Sequence, residues 1–230
     1  MTNFNLGNPL IAGFSQLKFQ NHDNFLDELY ATIDRACMKI AASSKKISRR
    51  ENLSEIYEII KKLDVNDQKV LKSFIEKTLE DDISLRIVDI ITEDFRFRAS
   101  HDHYHNGHVD IHVQSSDLQH IWLGEAKIYS GNKYNQQGLS QLVHDYSKGG
   151  KNESGGILIY VDSTSLTIES IIDSWKTRLT TLSMDPENKL TGLVTELDPT
   201  DNCILHTKHN HHLSGRTYRI KHFCVDLRSN

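Results

Sequence analysis

The sequence has little of what exported or membrane-bound chains need. Its three cysteines, Cys37, Cys203 and Cys224, are odd in number and far apart, and none forms a C-x-x-C pair. That spacing excludes a disulfide scaffold and suits a reducing compartment, so a cytoplasmic location is expected. Apolar runs are short: residues 157–161 form one of the longest, where a membrane helix needs about 20. The first thirty residues also lack a basic start followed by a long apolar core, so neither secretion nor a membrane partner is expected. Prolines number only three and no tract is of low complexity, so the chain is expected to fold rather than remain disordered. An excess of positive charge is missing as well. The formal net charge is -4, whereas binding to phosphate backbones leaves a basic footprint. The cations are instead local: Lys39, Lys45, Lys46, Arg49, Arg50, Lys61 and Lys62 lie within residues 39–62, and Lys208, Arg216, Arg219, Lys221 and Arg228 within 203–230. Each stretch is either a solvated surface or a phosphate contact.

What is present is a helical first half followed by alternating strands and helices. Phe25, Leu29, Ile33, Ala36 and Ile40 recur at helical spacing, and a short helix fits residues 53–63. A longer helical pattern from Asp67 carries Val70, Phe74, Leu79, Ile83, Ile87 and Ile90, with a break expected near Glu80, Asp81 and Asp82. A strand is expected at 95–98, then a His/Asn/Gly-rich turn, then strands at 108–114 and 121–129. A helix over 135–146, an almost wholly apolar strand over 156–162 and an amphipathic helix over 166–182 follow, with closing strands at 190–197 and 217–227. A strand as apolar as 156–162 is covered on both faces, which is the central position of an α/β sandwich. The fold class expected is α/β, a mixed sheet flanked by helices. Residues 1–66 read as a helical N-terminal extension and 67–230 as the main domain.

The chemistry concentrates on two of these strands. Period two sets Val109, Ile111 and Val113 on one face of 108–114, and His108, Asp110 and His112 on the other. Fourteen residues intervene before Glu125, Ala126 and Lys127, and period two again places Glu125 and Lys127 together. Antiparallel pairing of the two strands would then unite two carboxylates and an ammonium. Paired carboxylates make a hard oxygen site for Mg²⁺ or Mn²⁺, and the Ala126 carbonyl can add a third oxygen. A lysine beside such a metal can orient or deprotonate water and stabilise charge developing on a phosphate.

Across residues 67–162, Asp110 followed by Gly124-Glu125-Ala126-Lys127 resembles the PD-(D/E)XK nuclease superfamily, although Val109 stands where the motif's proline would precede the acid. The resemblance implies a restriction-endonuclease-like fold and divalent-metal hydrolysis of phosphodiester bonds. It implies Asp110 and Glu125 as metal ligands and Lys127 as base or water-positioning group. A further glutamate is implied from the helix before the hairpin, Glu80 in preference to Glu76, and a polar group, Gln141, from the helix after it. The substrate expected is nucleic acid, with DNA favoured over RNA, in a setting such as prokaryotic defence or a mobile element, with a protein partner or a second copy of the chain as helper. The rival from another class is a non-catalytic binding or assembly subunit that keeps the fold. Two histidine clusters, His101, His103, His105 and His108, then His206, His209, His211 and His212, read as surface or turn residues. Cys203, His206, His209 and Cys224 are spaced too loosely for a structural zinc site.

Overall fold

A computed structural model describes residues 18–43, 56, 58–104 and 108–228. Lys45, Lys46, Arg49, Arg50 and His105, and residues 53–55 and 57 of the expected helix 53–63, lie outside the described residues.

Helix α1 (His22–Ala42) starts where the Asn21 side chain accepts from the Asn24 N–H, and α2 (Val65–Thr92) where Asp64 accepts from the N–H groups of Asn66 and Asp67. The break expected in α2 at the acidic run does not occur. No Pro or Gly interrupts the element, and Glu80 is anchored by accepting a bond from the Ile128 N–H at 2.7 Å.

Strand β1 (Phe97–Tyr104) is longer than the sequence pattern indicated, and it absorbs His101 and His103 into the strand rather than a turn. It is followed by β2 (His108–Ser115), β3 (Ile121–Ile128), helix α3 (Asn132–Ser140), a π-helical turn (Gln141–Tyr146) and β4 (Glu153–Val161). Helix α4 (Ile168–Ser183), a short 3₁₀ turn (Pro186–Asn188) and β5 (Val194–Leu197), β6 (Leu205–Asn210) and β7 (Thr217–Asp226) complete the chain. The seven strands form one mixed sheet in the order β1-β2-β3-β4-β7-β6-β5, antiparallel except where β4 runs parallel to β3 and β7.

All nine residues of β4 are buried because helices cover both of its faces. Leu158 and Tyr160 join Phe25, Leu29 and Ile33 of α1 and Ile83 and Ile87 of α2 in one core; Ile157, Ile159 and Val161 join Leu139, Leu142, Trp175 and Leu179 in the other. Helix α1 therefore shares a core with the sheet instead of standing apart as an extension. It is also bound to β7 by ion pairs from Arg219 to Asp23 and from Lys221 to Asp34. Among the described residues no helix is long and apolar enough to cross a membrane.

Candidate active site

The site is built where the β2–β3 pairing ends. The antiparallel register runs from Gln114 opposite Ile121 to Ile111 opposite Gly124 and goes no further. The β1–β2 register also skips a step there, passing from His101↔Ile111 to His103↔Val109, with Asp102 at a φ of 50°. Asp110 stands at this interruption. Beyond it, β3 remains paired with β4 through Ile128 opposite Tyr160, but its other edge has lost its strand neighbour. A buried N–H on such an edge still needs an acceptor, and side chains supply it: Asp110 Oδ2 accepts from Ala126 N at 2.8 Å and Glu80 Oε1 from Ile128 N at 2.7 Å. Two carboxylates from different elements thus continue the ladder that β2 leaves.

Glu125 and Lys127 alternate with Ala126 and point to the face covered by α3. Lys127 Nζ donates to Glu125 Oε1 at 2.7 Å, while Glu125 Oε2 is buried with no hydrogen-bond partner. Gly138 lets α3 come this close, since a Cβ there would lie 3.1 Å from both Glu125 Cγ and Lys127 Cγ. Gly138→Ala should leave stability unchanged or slightly raised, because alanine favours a helix by about 1 kcal/mol over glycine. The same methyl would displace the Glu125–Lys127 pair, and turnover should fall about tenfold, since small misplacements of reacting groups are costly. Turnover measured with saturating substrate, alongside the melting temperature, checks this; wild-type turnover would mean that the position of the pair is immaterial.

Asp110, Glu125, Lys127, Glu80 and Gln141 all line one cleft of about 730 Å³, together with Asp81, His101, Asp102, His108, Tyr134 and Tyr146. Ala126 takes part through its backbone, and its carbonyl faces the same edge as its N–H, as in any extended residue. Glu76 is one turn from Glu80 on α2 and does not line the cleft. His108 is at the rim, 2.9 Å from Asp102, whereas His112 is buried opposite Leu123 and is not in the lining.

No family model, curated protein or solved structure matches the chain. The chemistry has to be read from the cleft itself. Burial pushes Glu125 up to about 8, with the Asp110 carboxylate adding to the rise and the Lys127 ammonium opposing it. Burial likewise pushes Glu80 up to about 7 and raises Asp110. Burial draws Lys127 down, but Glu125, Asp110 and Glu80 outweigh it and hold the ammonium well above its ordinary range. Three carboxylates share one lysine here, a concentration of negative charge in a low-dielectric pocket that a bound cation would relieve.

Among the lining residues that were not anticipated are Tyr134 and Tyr146. The Lys127 ammonium stands 5.9 Å from the centre of the Tyr134 ring. Gln141 Nε2 donates to the Tyr146 hydroxyl at 3.2 Å, and that hydroxyl is held above its usual range by burial and then by Glu125 and Asp110. Residues five apart do not share a face of an α-helix, and it is the π-helical turn that brings Gln141 and Tyr146 together.

At residues 203–230, where phosphate contacts were expected, four of the five cations are engaged in ion pairs and Arg216 donates to the Gly149 carbonyl. Lys208, Arg219, Lys221 and Arg228 are paired with Glu196, Asp23, Asp34 and Asp226. Lys221 is only 5% exposed, with its ammonium beside the rings of Tyr30 and Phe223. Arg219 and Lys221 join α1 to the sheet, Lys208 joins β6 to β5, and Arg228 pairs with its near neighbour Asp226. Of the histidines of that region, His206 bonds to Asp198 and His211 to Ser147, while His209 is buried against the Tyr218 ring with neither ring nitrogen hydrogen-bonded.

Proposed function

We propose that the protein is a divalent-metal-dependent nuclease of the PD-(D/E)XK type, hydrolysing phosphodiester bonds, with DNA as the favoured substrate. The observation that carries this reading is the meeting of Asp110, Glu125, Lys127 and Glu80 in one cleft at the unpaired edge of β3. The element order supports a restriction-endonuclease-like fold: a helix, three antiparallel strands, a crossover helix, then a strand parallel to the third.

The donor set fits Mg²⁺ or Mn²⁺. Glu125 Oε2 lacks a partner, Asp110 keeps one oxygen beyond its bond to Ala126 N, and the Ala126 carbonyl lies on the same edge. Among the described residues no three His, Cys, Asp or Glu side chains form a metal-holding group. Water and substrate oxygens would complete the shell, as they commonly do around Mg²⁺. Asp110 and Glu125 would hold such an ion, which would supply Lewis acidity, and Glu80 fixes the edge of β3 on which they converge. Lys127, kept as an ammonium, donates hydrogen bonds; it orients the attacking water and offsets charge developing on the phosphate rather than acting first as a base. Gln141 and Tyr146 line the opposite wall, where an amide and a hydroxyl can bind a phosphate oxygen or water.

The test is cleavage of duplex DNA, single-stranded DNA and RNA by the purified chain in Mg²⁺, Mn²⁺ or EDTA. Cleavage that EDTA abolishes and Mn²⁺ restores is expected, with duplex DNA cut fastest. Absence of metal-dependent cleavage on every substrate would favour a non-catalytic binding subunit.

A further inference from the structure

The carboxylate cleft continues past α3. Gln137 and Ser140 line both the cleft and a neighbouring depression of about 590 Å³, whose other walls are Asn132, Lys133, Gln136 and Arg178. The two hollows differ in charge. The first gathers Glu80, Asp81, Asp102, Asp110 and Glu125 around two lysines, Lys77 and Lys127, and is acidic on balance; the second has Lys133 and Arg178 and no acid.

Those two cations also differ from the ones near the C-terminus. Arg219, Lys221 and Arg228 are held by aspartates, whereas among the described residues no carboxylate pairs with Lys133 or Arg178. Arg178 is instead steadied by donating from one guanidinium nitrogen to Gln136 Oε1 at 2.8 Å. The guanidinium has five N–H donors, so this bond orients it and leaves most of its capacity for a ligand. On α3, Lys133, Gln137 and Ser140 follow at i, i+4 and i+7, which sets them along one helical face leading towards Gln141 and the cleft.

We infer that this depression carries the phosphodiester backbone of the nucleic-acid strand entering the cleft. Lys133 and Arg178 contact phosphates flanking the bond to be cut, and Gln136, Gln137 and Ser140 donate hydrogen bonds to phosphate or sugar oxygens. This rests on the nuclease reading and adds the path of the substrate. An acidic centre for the cation beside a basic channel for the polyanion is the charge order such a reaction requires. Lys and Arg directed at phosphates bind without reading sequence, so the channel sets affinity rather than specificity.

The experiment compares the wild-type chain with Lys133→Gln/Arg178→Gln and with Lys148→Gln/Lys151→Gln, the latter altering exposed cations before β4, outside both hollows. Binding of a labelled DNA oligonucleotide is followed by fluorescence anisotropy across a salt series in EDTA, and single-turnover cleavage is followed at saturating DNA in Mn²⁺. The channel variant should bind about tenfold more weakly, with a salt slope shallower by roughly 1 for each lost contact. Its cleavage rate at saturation should fall by less than its affinity does, and the control should bind as wild type does. Unchanged affinity and slope in a channel variant that still cleaves would overturn the channel while leaving the nuclease reading intact. A wild-type chain that binds DNA with the expected dependence on Lys133 and Arg178 but never cleaves would overturn the catalytic reading and keep the channel. A wild-type chain that neither binds nor cleaves overturns both. Lys133→Glu, a single change at an exposed position, repeats the test if the double variant melts early.

Discussion

Lys127→Ala should lower the rate of the chemical step by about 10²- to 10⁴-fold, or about 3 to 5 kcal/mol of barrier, while the protein still binds Mn²⁺ and DNA. The ammonium is set among Glu80, Asp110 and Glu125, and it is bonded to Glu125 at 2.7 Å. Removing it takes away the donor that orients water, and it also removes a positive charge that competes with a metal ion for the same carboxylates. Mn²⁺ affinity should therefore be retained or increase. Lys127→Gln, which keeps a donor without the charge, should recover part of the rate if orientation matters and none if charge alone does. Single-turnover cleavage at saturating DNA, paired with a Mn²⁺ titration by calorimetry, separates the two roles. A wild-type rate in Lys127→Ala would leave the lysine with a purely structural part and remove the mechanism.

How much of this site could be read from the sequence depended on which periodicity held each residue. Glu125 and Lys127 were legible together because a strand repeats every two residues, and β3 is regular across them. Asp110 was legible as the acid of the facing strand. The sequence did not show that Asp110 falls where the β1–β2 and β2–β3 registers are both interrupted, and that interruption is what turns its carboxylate onto Ala126 N. Glu80 was recoverable only by resemblance, because the acidic run looked like a helix break; its burial at 7% exposure follows from the unpaired Ile128 N–H, a tertiary demand. Tyr146 had no usable signal, since a 3.6-residue period puts it on another face from Gln141. Strand β6 was missed for a related reason. Its inward positions are Leu205, Thr207 and His209, so the alternation is real but two of the three residues are polar, stabilised by partners such as His222 and Tyr218. The ion pairs of the basic C-terminal stretch were not legible, because charge counted along the chain cannot show that Asp23 and Asp34 on α1 face it across the fold.

Glu125→Gln should abolish most activity, by a factor on the order of 10³, and yet make the metal-free protein more stable above neutral pH. Glutamine has nearly the same shape and still accepts from Lys127 Nζ, so packing and the 2.7 Å bond can be kept. What changes is charge. In the folded protein burial, then the neighbouring Asp110, push the Glu125 carboxyl up to about 8 from an ordinary 4.5. Between those values the unfolded chain has released its proton while the folded chain holds it. The folded state therefore binds more protons, and stability falls as pH rises through the window. Lys127 titrates far above it and adds no slope there, whereas Glu80, raised to about 7, keeps a smaller slope of the same sign in the variant. In EDTA the wild type should lose stability from pH 5 to pH 8, and Glu125→Gln should lose less. The two should melt together at pH 5 and differ by roughly 1 to 3 kcal/mol at pH 8, or roughly 2 to 4 °C of Tm for each kcal/mol. Saturating Mn²⁺ should reverse the order, because binding to the folded state stabilises only the chain that retains the ligand. Thermal melts at the two pH values with EDTA or Mn²⁺ decide the matter. A variant less stable than wild type at pH 8 in EDTA would mean that the Glu125 charge holds the fold together rather than awaiting a cation, and the site would then be a structural ion pair.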